Sequence, residues 1–116
     1  MHPKSPKLLD DVARSCQYIV EDTAGETLKT YLYNRQLRQV VERNLEIVGE
    51  ALVRLRMADQ DTAAQVTDLH RIIGLRNRLA QGYDEEIDDT LVWRAVQESL
   101  PVLRAEADTL LPEFEQ

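Results

Sequence analysis

"LRQVVERNLEIVGEALVRL", residues 37–55, has the most regular pattern of apolar side chains in this chain. The apolar positions recur three, four and seven residues apart, which is the spacing of one face of an α-helix. They are Leu37, Val41, Val48, Leu52 and Leu55, with Val40 and Leu45 beside them. The pattern predicts an amphipathic helix from about residue 34 to residue 57, with this face packed against the rest of the protein.

Two small residues, Gly49 and Ala51, lie in the middle of this predicted helix. Glycine destabilises a helix interior, so its presence there favours a packing reason, namely the close approach of another backbone. That backbone can belong to the same chain or to a second copy of it. Two interpretations therefore stand side by side: close packing within one chain, or dimerisation.

Weaker patterns predict two helices before this one. "KSPKLLDDVARSCQYIVEDTAG" reads as a first helix, in which Ser5 can be the N-cap, Pro6 suits the first helical position and Gly25 suits the end. "ETLKTYLYN" predicts a short helix or helical turn. Cys16 falls on the apolar stripe of the first helix, with Leu9, Val12, Ile19 and Val20. We therefore interpret it as a small core residue and not as a nucleophile.

Two helices are predicted after it, beyond the break at "MADQDT". The third long helix can be capped by Thr67 or Asp68 and stopped by Gly82. Its inward residues are Leu69, Ile72, Ile73 and Leu79. The last helix follows the acidic "YDEEIDD", with Asp89 as its cap and Pro101 expected to kink it or to divide it in two. Its apolar face consists of Val92, Val96, Leu100, Leu103, Ala107 and Leu110.

The composition agrees with an all-α fold. Aromatic residues make up 5% of the 116 residues, and four Gly and four Pro leave little room for many turns between short strands. We predict one domain, residues 1–116, built as an antiparallel bundle of four main helices plus a short helix. The lack of a signal-peptide pattern, of long apolar runs and of a second cysteine predicts a reduced cytoplasmic protein without membrane contact.

The charge is unevenly distributed. The net charge of −7 argues against general nucleic-acid binding. Residues 34–78, however, contain eight arginines and six acidic residues, whereas residues 79–116 contain two arginines and ten acidic residues. Any contact with RNA phosphates should therefore be confined to the arginine-rich region and be sensitive to salt.

Metal and cofactor chemistry has no support in the residue pattern. His2 and His70 have no Cys or His partner at ligand spacing, and no glycine-rich phosphate loop or Ser-His-Asp arrangement is present. The acidic pairs Glu85–Glu86 and Asp88–Asp89 are typical of a solvated segment that starts a helix. We predict neither a metal site nor a cofactor.

The stretch "GLRNRLAQGYD", residues 74–84, is the candidate for chemistry. On a continuous helix Arg76 and Tyr83 lie two turns apart on one face, whereas Gln81 points elsewhere unless the helix has ended. From these residues alone, Arg76 and Arg78 can equally be surface charges, with Tyr83 packed beside the helix end.

Two segments together resemble a known family. "QVVERNLEIVGEALVRL" (39–55) and "IIGLRNRLAQGYDEEIDDTLVWRAVQESLPVL" (72–103) resemble the HepT-like branch of the HEPN superfamily in order and spacing. The resemblance implies a helical bundle that forms a two-fold dimer, with its arginine motifs gathered in the cleft at the interface. It also implies metal-independent RNA cleavage by the toxin of a toxin–antitoxin pair, whose usual partner is an MNT-type nucleotidyltransferase that attaches AMP to the motif tyrosine.

The family motif maps onto Arg76, its neighbour Asn77, and Tyr83, which is also the implied site of AMP attachment. Arg76 and Arg78 are the implied phosphate-binding residues. Gln81 stands where the family has its histidine, and a glutamine amide cannot exchange a proton near pH 7. We therefore predict an impaired ribonuclease.

Two further interpretations stay open. The first is a non-catalytic module that binds a nucleotide or presents a substrate to a nucleotidyltransferase, with Arg76 and Arg78 on the nucleotide phosphate. The second is a purely structural helical dimer. Neither His70, about 10 Å along the helix from Asn77, nor Tyr83, whose phenol has an ordinary pKa near 10, is expected to replace the missing histidine within one chain.

Overall fold

The computed structural model of the chain describes residues 1–81 and 88–111, and this part of it is all-helical. Its six helices are α1 (Ser5–Thr23), α2 (Leu28–Tyr33), α3 (Arg35–Ala58), α4 (Gln60–Ala63), α5 (Leu69–Ala80) and α6 (Asp89–Leu110). The predicted all-α fold with four long helices and the short helix α2 is confirmed. The four-residue α4 was not predicted, because it is too short for its apolar spacing to be recognised.

Helix α3 is the centre of the bundle. It packs against α1, α2, α4 and α5, while α1 also packs against α6. Its predicted inward residues are buried: Leu37, Val41, Leu45, Val48, Leu52 and Leu55. Val40, which lies beside this stripe in sequence, is 41% exposed. Because α3 buries its apolar face against several other helices, residues 37–55 have the most regular spacing of apolar residues in the chain.

The inward faces of α5 and α6 are also as predicted. The buried residues include Leu69, Ile72, Ile73, Leu79, Val92, Val96, Leu100, Leu103, Ala107 and Leu110. Helix α6 continues through Pro101, so the predicted division into two helices does not occur. Proline leaves the carbonyl of Gln97 without its helical donor, but Gln97 and Pro101 are both exposed, and water can bond this carbonyl.

Two predicted N-caps are wrong. Lys4, not Ser5, precedes α1, and Ser5 is instead a buried helical residue whose hydroxyl donates to Asp59 over 2.8 Å. Asp88, not Asp89, caps α6, and its carboxylate accepts from the backbone N–H groups at positions 90 and 91. In both cases the predicted cap is already the first residue of the helix, and the residue types alone do not distinguish these two positions.

The other predicted helix ends have mixed outcomes. Gly25 follows the C-cap of α1 with φ +77°, as expected of a helix-ending glycine. Asp68 is the residue that precedes α5, but its side chain makes no capping hydrogen bond, while Thr67 donates its hydroxyl and backbone N–H to Glu106 of α6. The predicted stop at Gly82 lies outside the described residues, and α5 already ends at Ala80.

Cys16 is a core residue, as predicted. Its side chain is fully buried, and burial raises the pKa of its thiol to about 12, so it stays protonated at neutral pH. Val20, predicted on the same stripe, is 37% exposed. None of the helices in the described part of the chain is long and apolar enough to cross a membrane.

Asp59 joins the N-terminus to the end of α3. One of its carboxylate oxygens accepts from the backbone N–H of His2 (2.9 Å) and the hydroxyls of Ser5 (2.8 Å) and Thr62 (2.6 Å). The other oxygen accepts from the Thr62 backbone N–H (3.1 Å) and so caps α4. These hydrogen bonds to the charged form, above all the one from the Thr62 hydroxyl, hold the pKa of Asp59 well below its usual range.

We expect Asp59 to make the fold sensitive to acid. Because its folded-state pKa lies below its unfolded value, its contribution to stability is complete above about pH 4 and is lost as the pH falls further. Asp59→Asn should lower the urea midpoint at pH 7, since its amide is uncharged and has one accepting oxygen where the carboxylate has two. It should also lose less further stability between pH 7 and pH 3 than the wild type. Asp61→Asn, at an exposed neighbouring carboxylate, is the matched control. An unchanged acid dependence in Asp59→Asn would show that this network does not stabilise the fold.

Candidate active site

Helix α5 crosses α3 at Gly49, and Arg76 occupies the space that a side chain there would need. A methyl group at Gly49 would lie 2.5 Å from Cγ of Arg76 and closer still to its Cβ. Atoms this close to both backbones cannot move aside without separating the helices. The interpretation of Gly49 as a close-packing residue within one chain is therefore confirmed.

The guanidinium of Arg76 is held by two acceptors. Its Nη2 donates to Oε2 of Glu50 over 2.7 Å, and its Nη1 donates to Oδ1 of Asn77 over 3.0 Å. The Arg76 side chain is 30% exposed. A charge-assisted bond of this length restricts the orientation of the guanidinium while leaving part of it open to an anion.

Glu50 is shared between two arginines. Its second oxygen accepts from Nε of Arg54 over 3.0 Å, so one carboxylate lies between the guanidiniums of Arg54 and Arg76. Sequence reasoning did not identify Glu50 or Arg54 as functional candidates. The available signal was the position of Glu50 directly after the mid-helix Gly49, where the partner helix comes close.

Glu50, Arg54 and Arg76 face a groove of about 560 Å³ between α1, α3 and α5. Its lining includes Leu8, Asp11, Arg43, Glu46, Ile47, Glu50, Ala51, Arg54, Arg76, Leu79 and Ala80. The floor is apolar and the rim is charged, with Arg43 paired to Glu46 over 3.6 Å. The Arg76 guanidinium in this groove can stabilise negative charge that develops on a bound anion.

Arg78 does not share this groove. Together with His70 and Arg71 it lines a separate cleft of about 270 Å³ between α5 and α6, whose other walls are Gly74, Leu75, Leu91 and Ala95. Two residues along a helix turn through about 200°, so Arg76 and Arg78 face nearly opposite directions. The predicted pair of phosphate-binding arginines is therefore divided between two clefts within one chain.

Gln81 is the C-cap of α5 and is exposed. Its backbone N–H bonds the carbonyls of Arg78 and Leu79, which ends the helix. A helix that continues to position 83 was the condition for placing Arg76 and Tyr83 on one face, and the end of α5 at Ala80 removes it. Tyr83 itself lies outside the described residues.

Gln81 is not among the residues that line the groove of Arg76. Five residues of helix turn through about 140° beyond one full turn and advance by about 7.5 Å. His70, the nearest histidine in sequence, lines the other cleft. Within residues 1–81 and 88–111, no group of three His, Cys, Asp or Glu side chains converges as the ligands of a metal ion would.

Comparisons with known proteins find relatives of one kind. Residues 8–110 match the family described as "Ribonuclease HepT-like". A protein of Methanocaldococcus jannaschii is 30% identical over 102 residues, which are 86% of this chain and 90% of that protein. A protein of Caldanaerobacter subterraneus subsp. tengcongensis is 23% identical over 109 residues, 93% of this chain and 96% of that protein. Both are named "Putative RNase". No solved structure matches with comparable significance.

The crossing at Gly49 predicts opposite effects for two glycine substitutions. Gly49→Ala should destabilise the fold by about 1–3 kcal/mol, because the added methyl group overpacks the contact with Arg76. Gly74→Ala, on the exposed face of α5 with open space around it, should be neutral or stabilise by up to about 1 kcal/mol. Urea unfolding of both variants measures the difference. Equal effects would show that α3 and α5 are not in close contact at Gly49.

Proposed function

This chain belongs to the HepT-like ribonuclease family, and from that membership we propose that it is a metal-independent endoribonuclease impaired by Gln81. The observation that supports this most is the Arg76 guanidinium, fixed over Gly49 by Glu50 and open to the groove. An arginine in this setting is always charged and can hold two oxygens of one phosphate.

In the proposed reaction the 2′-hydroxyl of RNA attacks the adjacent phosphorus, and the 5′-oxygen of the next nucleotide leaves. Arg76 stabilises the negative charge of the crowded phosphorane, and in the free protein Asn77 and Glu50 hold its guanidinium in place. A proton must leave the 2′-hydroxyl and another must reach the 5′-oxygen. Gln81 can bond the phosphate but cannot transfer either proton, and the loss of positioned acid–base catalysis costs about 10²–10⁴-fold in rate.

A two-fold dimer is part of this proposal. Within one chain Gln81 does not line the groove of Arg76, and we propose that a second chain brings its own position 81 to that groove. A symmetric pair in which each α5 faces the other supplies that arrangement. We further propose that the chain is the toxin of a cytoplasmic toxin–antitoxin pair whose antitoxin is an MNT-type nucleotidyltransferase.

One observation favours the alternative of a nucleotide-binding or substrate-presenting partner. The cleft that contains His70, Arg71 and Arg78 has an apolar floor of Leu75, Leu91 and Ala95 and is only slightly smaller than common ligand pockets. A base can rest on such a floor while the arginines bind phosphate. Saturable binding of ATP by the isolated chain, weakened by Arg78→Ala but not by Arg76→Ala, would favour this alternative.

We expect Gln81→His to restore RNA cleavage. Imidazole can carry a proton near pH 7, so the variant should cut a labelled RNA in EDTA about 10²–10⁴-fold faster than the wild-type chain. Gln81→His with Arg76→Ala is the control and should be inactive at the same protein concentration. Equal cleavage by wild type and Gln81→His would show that the proton carrier is another group. No cleavage by any variant would contradict the ribonuclease proposal.

We expect Tyr83 to accept AMP from a cognate MNT-type enzyme and ATP. The added phosphate would bring negative charge to the end of α5, where it repels RNA. Mass spectrometry should find the modification on the peptide that contains Tyr83, and Tyr83→Phe should abolish it. Modification of another residue, such as the exposed Tyr33, with Tyr83 untouched would contradict this role.

A further inference from the structure

The groove contains two arginines besides Arg76, and neither belongs to the stretch from Arg76 to Tyr83. Arg43 and Arg54 both lie on α3, eleven residues apart, which is three helical turns and about 16 Å along the axis. Both therefore face the same side of α3, and both line the groove. Their side chains are 72% and 68% exposed, so a large ligand can reach them.

We propose that this groove binds single-stranded RNA, with Arg54 and Arg76 on one phosphate and Arg43 on a phosphate farther along the strand. The proposal rests on the ribonuclease function proposed above and extends it to the path of the substrate. A stacked strand advances about 3.4 Å per nucleotide, so the distance from Arg54 to Arg43 spans several consecutive phosphates. A single strand is the fitting form, because in-line attack by a 2′-hydroxyl needs a backbone that is free to rotate.

Glu50 shows how the shared phosphate is bound. Its two oxygens are held by Arg76 over 2.7 Å and by Arg54 over 3.0 Å. The two guanidiniums therefore already converge on the two oxygens of one anion, which is the geometry that a phosphate requires. Glu50 is the internal anion of the free protein, and an RNA phosphate takes its place between the arginines.

The exchange of partners replaces two weak ion pairs together with the shorter contact between Arg76 and Glu50. Arg43–Glu46 and Arg54–Glu50 are exposed pairs within one helix, and such pairs contribute little in water. The carboxylates in the groove are paired: Glu46 with Arg43, and Asp11 with Lys7. An RNA strand offers each arginine a phosphate and also releases the counterions of its own backbone.

Binding of a labelled, fully 2′-O-methylated RNA 12-mer tests the proposed path of the strand along the groove. The methyl groups remove the nucleophile, so affinity is measured without cleavage. Each lost phosphate contact lowers the slope of log affinity against log salt by about 0.7 for a single strand. Arg43→Gln should lower the slope by about 0.7, whereas Arg54→Gln should lower it by less, because Arg76 still contacts the phosphate that the two arginines share. Arg94→Gln, at an exposed arginine on α6 outside the groove, should keep the wild-type slope.

Removal of the negative charge of Glu50 should change the affinity for RNA in the opposite direction. Glu50→Gln should bind the same RNA several-fold more tightly, because the phosphate then has no competitor between Arg54 and Arg76. Weaker binding by Glu50→Gln would contradict the shared-phosphate site. Urea midpoints of all variants establish that each one is folded at the temperature of the assay.

The outcomes separate this inference from the proposed function. If the wild type binds RNA and Arg76→Gln weakens binding, while Arg43→Gln and Arg54→Gln behave like Arg94→Gln, the path is wrong and the ribonuclease proposal stands. If the wild-type chain does not bind the RNA and Gln81→His does not cleave the unmethylated strand, both proposals fail.

Discussion

The contact between α5 and α3 at Gly49 is the constraint on which the rest of the site depends. Since position 49 has no side chain, Arg76 passes directly over α3, and its guanidinium meets Glu50 in the next position of the same helix. A larger residue at 49 would separate the two helices and move Arg76 away from its partner. The mid-helix glycine costs helix stability locally, but it allows the close packing of α5 on α3 and so determines the position of Arg76.

This arrangement also shows how the proposed RNA binding is compatible with a net charge of −7. The arginines of the groove come from α3 and α5, in the part of the chain with a positive balance, and carboxylates hold them in place. Glu50 has two opposing effects on function: it orients Arg76, and it competes with the phosphate that Arg76 is proposed to bind. Removal of the Glu50 carboxylate should therefore affect RNA affinity and the rate of cleavage differently. A residue that only supports the fold would change both in the same direction.

The long helices and their buried faces could be predicted from sequence, because residues 37–55 and the later stripes have regular apolar spacing. The caps could not: Ser5 and Asp89 have suitable side chains, but contacts with Asp59 and the backbone of α6 decide which residue begins each helix. The choice of Arg76 and its neighbour Asn77 as candidates rests on family resemblance. The contact of Arg76 with Glu50 could not be predicted, because it follows from where α5 crosses α3, whereas the separation of Arg78 from Arg76 follows from helix geometry alone.

A double-mutant cycle between Glu50 and Arg76 tests the central claim most directly. The free energy of unfolding in urea is measured for Glu50→Gln, Arg76→Gln and the double variant, each in the wild-type and Gly49→Ala backgrounds. We expect a coupling of about 0.5–1 kcal/mol in the wild-type background, and none with Gly49→Ala, where Arg76 is displaced from its partner. Additive effects in the wild-type background would show that Glu50 does not hold Arg76, and would contradict the site described for this chain.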